Sequence, residues 1–582
     1  MASTSQVNKD ELDMLALTKT VQNLTFQIEK QLAIVDYNNN AFFLVSMSIL
    51  IFLMQCGFAF LEAGSVRSKN TTNILIKNLL DSCISCIFYW ACGWAFAYGT
   101  PANVFIGYGH FLLIDMPNTL FPTWFFQFVF AAAASTIVSG ALAERCEFVA
   151  YFAYCAFLTG FIYPVITHWA WATDDSGPVG WLGKGVIFHG SPIGFKDFAG
   201  SGVVHLHGGT CALVGALILG PRIGRFVKGS KDDKPIKGHS VPFAAMGGFI
   251  LMFGFFAFNG GSQANIVAPG DGQTVARAMT NTMLSGGWAA VIALLLHRLI
   301  SKTHWSLLLT INAALTGMVT ACAGCDAMEP WAMSIAGIGA GLVFMLVSFV
   351  VTKLKIDDPL DAVAVHGGGG LWGLIVTPIL MNDGVVFRWD AASFIQLGWN
   401  VVGAGAIVLW SALLIGPLFG ILRIFGVFRV PKEVEEKGLD LAKHGEAAYP
   451  ISAYGHGWFQ EEPEFALPIE GLNEIQSSIK KRKRSIVPDD IWMNGKTGSS
   501  APSNTIRSLS PRSNHRSGEG GTNTPKLVAS GHTTVVAVSD GRYSKSPAEA
   551  NNNTRRGRLP FFENAEQHAM AISKSKNQLN SY

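Results

Sequence analysis

Eleven apolar stretches constrain this 582-residue chain more than any other feature; they lie near 41–62, 75–99, 120–143, 149–171, 197–220, 241–262, 273–297, 305–322, 331–352, 360–380 and 392–424. Each is long enough to cross a hydrocarbon core about 30 Å thick. Lipid offers no water to the backbone N–H and C=O groups, so a crossing segment of this kind must be a helix. An apolar share of 49% and a mean hydropathy of +0.32, reached despite a polar C-terminal tail, exclude an ordinary soluble protein. The expected fold class is an all-α polytopic membrane protein with eleven transmembrane helices. Residues 1–40 are polar, carry Asp10, Glu11 and Asp13, and lack a basic start followed by an apolar run, so no cleavable signal peptide is expected.

Charge in the connections orients the bundle. The odd loops hold fourteen cations: Arg67, Lys69, Lys77, Arg145, Arg222, Arg225, Lys228, Lys231, Lys234, Lys237, Arg298, Lys302, Lys353 and Lys355. The even loops hold three, Lys184, Lys196 and Arg388. By the positive-inside rule the odd loops and the C-terminus are cytoplasmic and the N-terminus is outside, in a multi-pass protein of the plasma membrane. Asn23-Leu24-Thr25 then forms an extracellular glycosylation sequon, whereas Asn70-Thr71-Thr72 faces the wrong side. Four regions follow: an extracellular amphipathic segment over 1–40, a transmembrane domain over 41–427, a proximal cytoplasmic tail over 428–470, and a tail over 471–582 whose Ser, Asn, Arg and Gly content predicts disorder. In the first, Leu17, Val21, Leu24, Ile28, Leu32 and Val35 share one helical face, suited to packing on the membrane domain or to self-association. In the last, Lys480 to Arg484 is a basic run near the inner leaflet, and Ser510, Thr524 and Ser546 each precede a proline as weak kinase sites.

A pattern recurs inside the apolar segments. Asp197 to Gly209 and Asp358 to Gly370 both read D-x7-H-x2-GG. An Asp there suits a helix start, where it meets free N–H groups and the positive end of the dipole. Eight residues of rise then carry His205 and His366 about 12 Å inward, close to the bilayer midplane. The loop charges make these two helices antiparallel, so crossings 1–5 and 6–10 form two inverted five-helix repeats with one extra helix. A lone histidine in such a place is ordinarily a satisfied core residue; two in matching positions point to a site where the repeats meet. The glycines after each His, like Gly337, Gly339 and Gly341, suit close helix packing. Cys83 with Cys86 and Cys322 with Cys325 have CxxC spacing but no second ligand pair, so neither a metal nor another cofactor is expected.

Aromatic residues surround this pair in sequence. Phe126 and Phe130 are one turn apart on the third segment, Trp169 and Trp171 end the fourth, and Phe258-Asn259-Gly260-Gly261-Ser262 closes the sixth. Each could be packing or interfacial belt; gathered at one mouth, π faces and a hydroxyl oxygen suit a small cation. A metalloenzyme built on His205 and His366 lacks an HExxH-type run or an added carboxylate ligand, and an enzymatic role is not expected.

The strings Gly57 to Gly64, Gly140 to Arg145, Asp197 to Gly200, Phe258 to Ser262 and Asp357-Asp358-Pro359 resemble the Amt/Mep/Rh ammonium transporter family over about 41–450. The resemblance implies a homotrimer of eleven-helix protomers, each with its own pore for ammonium or ammonia. It maps Trp171, Phe130 and Ser262 onto the outer recruitment site, with Asp197 the buried acid beside it. Phe130 and Phe258, with Phe126 a turn away, correspond to the phenylalanine gate, and His205 and His366 to the paired pore histidines. Trp171 fits the Amt branch, and Gly438 to Glu446 is similar to a proximal tail that in relatives docks on the neighbouring protomer. Departures are the long Gly-rich loop Ala172 to Lys196 and Ala442, where some plant relatives carry a Thr. Two rival functions remain: an electroneutral gas channel of the Rh kind, and an ammonium sensor signalling through its tail. The expected partners are ammonium, lipid and further copies of the chain, with no nucleic acid.

Overall fold

The protein is described by a computed structural model covering residues 2–226, 236–302 and 304–450, with side chains from residue 11 onward. The tail over 471–582, the basic run at 480–484, the three Ser/Thr-Pro sites and Lys228, Lys231 and Lys234 lie outside the described residues.

Ten of the described helices are long and apolar enough to cross a membrane. In chain order they are Glu11–Ser65, Ser68–Tyr98, Asn118–Leu142, Phe148–Trp171, Ser201–Leu219, Val241–Gly261, Asp271–Ser301, Pro330–Lys353, Val363–Arg388 and Ala391–Ile424. Where the eighth of eleven crossings was expected, Leu307–Ala321 is apolar but only 15 residues long. The turn that follows it supports a neighbour: Cys322 and Ala323 offer their carbonyl oxygens to Ala199 N and Phe198 N, and Asn281 Nδ2 donates to Cys325 O and Met328 O. That turn thereby supports the chain just before the fifth helix.

At the N-terminus one helix runs from Ala2 to Phe52 without a break at residue 40, then turns at Leu53 into Met54–Ser65. Residues 11–39 of it are exposed, including Leu17, Val21, Leu24, Ile28, Leu32 and Val35, so this face does not pack on the described membrane domain. The Gly-rich loop after Trp171 folds into two small antiparallel ribbons, Thr173–Asp174 with Gly177–Pro178 and Val186–Phe188 with Ser191–Ile193, around the short helix Trp181–Lys184. These four strands depart from the all-helical expectation, and they sit wholly within a connection.

The two D-x7-H helices meet at the centre, and glycine lets them do so. A Cβ on Gly209 would run into the backbone of Gly367, and one on Gly370 into Ser201 O and the Leu206 backbone. These two glycines hold the same place in the two copies of the motif, four residues after each His, so the contact repeats across the inverted halves. Both helices begin later than the Asp that precedes them. Asp197 Oδ1 accepts from Gly200 N, and its Oδ2 from Gly202 N and Val203 N; Asp358 Oδ2 accepts from Val363 N. Each Asp therefore caps its helix across a tight turn, with Gly200 and Asp361 in the left-handed region, instead of occupying the first helical turn.

At the end of the bundle where the basic residues gather, buried charges tie the halves together. Arg222 donates to Glu144 Oε2 at 2.9 Å and to both Asp357 oxygens at 2.8 and 3.0 Å, while Arg67 also holds Glu144. Arg145 donates to the Gly220, Ala143 and Asp357 carbonyl oxygens. The proximal tail lies on this network within the same chain. Phe428 stacks on Phe419, Glu435 ties Arg429 to Ile223 N, Leu439 N donates to Asn70 Oδ1, Asp440 Oδ1 accepts from Asn73 N, and Lys443 pairs with Glu147.

Burial alone would raise the Glu144 carboxyl, yet Arg222 and Arg67 outweigh it and bring the pKa from 4.5 to about 2. A folded value below the unfolded one contributes stability that is complete above about pH 4.5 and is lost as pH falls toward 2. Thermal unfolding of detergent-solubilised protein should therefore show wild type above Glu144→Gln near neutrality, with the gap closing as pH drops below about 4.5. A gap that stays constant across that range would contradict the ion network's role.

Candidate functional site

Both central histidines lie in wide, π-helical turns, Ser201–Leu206 and Val363–Gly368. Such turns add a residue to the circuit and re-aim the side chains they carry. Here they bring the rings of His205 and His366 nearly parallel, with centroids 5.2 Å apart, planes 16° apart and Nδ1 3.1 Å from Nδ1. One imidazole donates and the other accepts. The pair is buried, and His205 Nε2 has no protein partner among the described residues.

On the side away from the basic end, aromatic rings continue the line. Phe258 lies 5.4 Å from the His205 ring, and Phe130 stacks on Phe258 at 4.1 Å with planes 27° apart. Trp171 meets Phe130 edge to face at 6.1 Å, and Phe126 backs Phe130 at 4.8 Å. Trp171, Phe130, Phe258, His205 and His366 thus form one continuous succession drawn from five helices. Phe130 and Phe258 are fully buried, whereas Trp171 is partly open. Trp169, by contrast, is buried, with its Nε1 donated to Phe105 O, and belongs to the packing.

The remaining expected residues take more particular positions. Ser262 is half-buried at the end of the Phe258 helix, and its hydroxyl donates to Phe258 O, leaving its oxygen lone pairs free to accept. Asp197 touches the aromatic line through its backbone, since Trp171 Nε1 donates to Asp197 O at 2.7 Å; its carboxylate is taken up by the three N–H groups of the helix start. His207 faces away and its Nδ1 bonds Ser411 Oγ at 2.7 Å, so it belongs to the packing of the core. Asn23 is exposed on the N-terminal helix.

Three neighbours escaped the sequence reading. Phe255 covers the His205 ring at 5.6 Å, Phe58 packs on His366 at 6.4 Å, and the Glu62 carboxylate lines a small cavity together with His366. Phe255 is three residues before Phe258 and was visible as a helical neighbour; the other two come from the first crossing, and only the fold brings them to the pair.

The fold and this site define a multi-pass membrane transport protein with a histidine pair at the meeting point of inverted halves. Residues 41–449 match the model of the Ammonium Transporter Family, and the chain belongs to that family. A Caenorhabditis elegans relative is 53% identical over 486 residues, covering 79% of this chain and 88% of its own. Ammonium transporter 1 member 3 of Solanum lycopersicum is 38% identical, covering 71% and 93%. Among solved structures, one described as a sensor Amt protein superposes with a TM-score of 0.64 at 33% identity, covering 70% of this chain and 99% of that one. Candida albicans Mep2 gives 0.61 at 25%, covering 72% and 93%.

The cap geometry yields a stability prediction. Asp197→Ala leaves three buried N–H donors without their acceptor, at about 1–3 kcal/mol for each unsatisfied group, whereas Asp197→Asn retains an acceptor oxygen and should lose less. Chemical unfolding of the purified variants measures both losses, and an Ala variant as stable as wild type would refute the cap.

Proposed function

We propose that this protein carries ammonium across the plasma membrane by stripping its proton at the aromatic gate and passing ammonia, with the proton, by way of the histidine pair. The observation that carries the reading is the unbroken line from the partly open Trp171 through the Phe130–Phe258 stack to His205 and His366. Ammonium and potassium are alike in size and charge, so selection must use hydrogen donation, which Ser262 can accept, and π faces, which compete poorly for strongly hydrated metal ions. Two stacked phenylalanines leave no room for a hydrated ion, and a bare charge in the apolar throat costs several kcal/mol. Deprotonation at the gate is the economical step. Two imidazolium ions 3.1 Å apart would repel strongly, so the pair holds one proton at a time and titrates as a unit.

Methylammonium uptake recorded together with current tests this reading. Trp171→Leu is expected to weaken apparent affinity by up to about 2 kcal/mol, one desolvated cation-π contact, with assembly intact, and Ser262→Ala to act the same way but less. His205→Ala and His366→Ala should cut current per surface-labelled molecule steeply. Full current in both would sink the relay, and uptake without current in the wild type would favour an electroneutral gas channel. The likeness to a structure described as a sensor Amt protein favours a second reading, signalling without useful flux, for which uptake near background is the diagnostic result.

The proposed orientation puts the basic end in the cytoplasm and Asn23 outside, on a homotrimer. A glycosidase mobility shift lost in Asn23→Gln is the expected outcome; antibody reaching a tag after Tyr582 on intact cells would reverse the orientation.

A further inference from the structure

We propose that Glu62 is the proton-carrying group on the basic-end side of the histidine pair. This rests on the proton-coupled reading above. Phe58 packs on His366, and Glu62 follows it by four residues on the same helical face, about 6 Å nearer the basic end. Both side chains line the cavity that begins under His366, together with Thr136, Gly140 and Leu360. About 20 Å³ of that cavity is open to a water-sized occupant, enough for a single water. Gly140 keeps the carboxylate accessible from it: a Cβ there would lie 3.8 Å from Glu62 Oε1 and 3.3 Å from Leu360 Cβ.

The carboxylate is held, and not by a countercharge. Ser139 Oγ donates to Oε1, Asn78 Nδ2 donates to Oε2 at 2.8 Å, and among the described residues no Lys or Arg pairs with it. The charged groups acting on it are Asp81, which accepts from Ser135, Thr136 and Cys155 on the midplane side, and Lys77, whose ammonium donates to Cys146 O. A buried helix tie would be served by a glutamine, whose amide oxygen accepts from Asn78 Nδ2 while its NH2 donates to the Ser139 hydroxyl oxygen, without an ionisable group in the bundle. An acid in such a place, facing a histidine across a cavity, is placed for proton transfer.

The step balances. A proton released from ammonium above the pair reaches His366, and the Glu62 carboxylate takes it through water in the cavity, as the imidazole N–H bond breaks and a carboxyl O–H bond forms. Ammonia arriving in the cavity then takes that proton. Ammonium leaves, and the carboxylate is restored.

Proteoliposomes that report methylammonium uptake and charge movement together decide the matter. In Glu62→Gln, charge moved per methylammonium is expected to fall by about tenfold or more, a modest share of what one positioned proton-transfer group contributes, while labelled uptake falls less. Glu62→Asp, which withdraws the carboxylate by one methylene, should lie between Glu62→Gln and wild type. A merely structural tie would lower charge and uptake in proportion, leaving their ratio at the wild-type value, and that result overturns the role of Glu62. If the Gln variant does not assemble, the Asp variant carries the test, an unchanged ratio again overturning the proposal. Charge movement lost in His205→Ala and His366→Ala but unaltered in both Glu62 variants would spare the relay and remove Glu62 alone; a wild type that moves no charge removes both.

Discussion

Everything at the centre of this protein depends on two helices approaching backbone to backbone. At Gly209 and Gly370 no side chain could be inserted without striking the opposite main chain, and the approach is what places His205 and His366 within hydrogen-bonding distance. Around that crossing the other features fall into place. The π-helical turns rotate the imidazoles toward one another, the capping Asp residues satisfy helix starts buried inside the bundle, and the turn after Ala321 supports the stretch leading into the fifth helix. An irregular backbone at this depth survives because protein, not lipid, surrounds it and the Asp197 and Asp358 carboxylates take up N–H groups at the helix starts.

Much of this was legible from the chain, for reasons that differ by feature. Apolar length reports membrane crossing directly, because no other solvent tolerates it, and the repeated D-x7-H-x2-GG pattern reports the inverted halves, because the same local constraint operates twice. Phe130, Phe258, Trp171 and the histidines could be assembled from family motifs and are adjacent in the fold. What remained hidden concerns contacts between distant segments. From the first crossing Phe58 packs on His366 and Glu62 lines the cavity beside it, a placement no local spacing encodes. The eighth segment, read as 305–322, is helical only over Leu307–Ala321, and the carbonyls of the turn that follows serve Ala199, Phe198 and Asn281, contacts that no local pattern encodes. Asp197 looked like a residue in the first helical turn, and its carboxylate does serve the helix, but from three residues upstream.

The tail shows how an exposed peptide can be held with specificity. Asn70 and Asn73 present one side-chain oxygen and one backbone N–H to Leu439 and Asp440, Glu435 is buried against Arg429 and Ile223, and the peripheral Lys443–Glu147 pair closes the row. Burial raises the Asp440 carboxyl while backbone N–H groups from Asn73, Thr72 and Thr71 pull it down, the raising effect prevailing. Its partners are the first residues of the second crossing, so the tail's position is read by a helix that also carries Lys77, Asn78 and Asp81 in its interior.

Arg222 acts as a mechanical clamp. Glu144 closes the third segment of one half and Asp357 precedes the central helix of the other, and one buried guanidinium grips both. The halves also interlock at Gly209 and Gly370, so among the described residues they are tied at two depths, which resists rocking of one against the other. The route proposed above would then run on rotations of the Phe130 and Phe258 rings, on the timescale of side chains, in place of a slow cycle of whole-repeat motion.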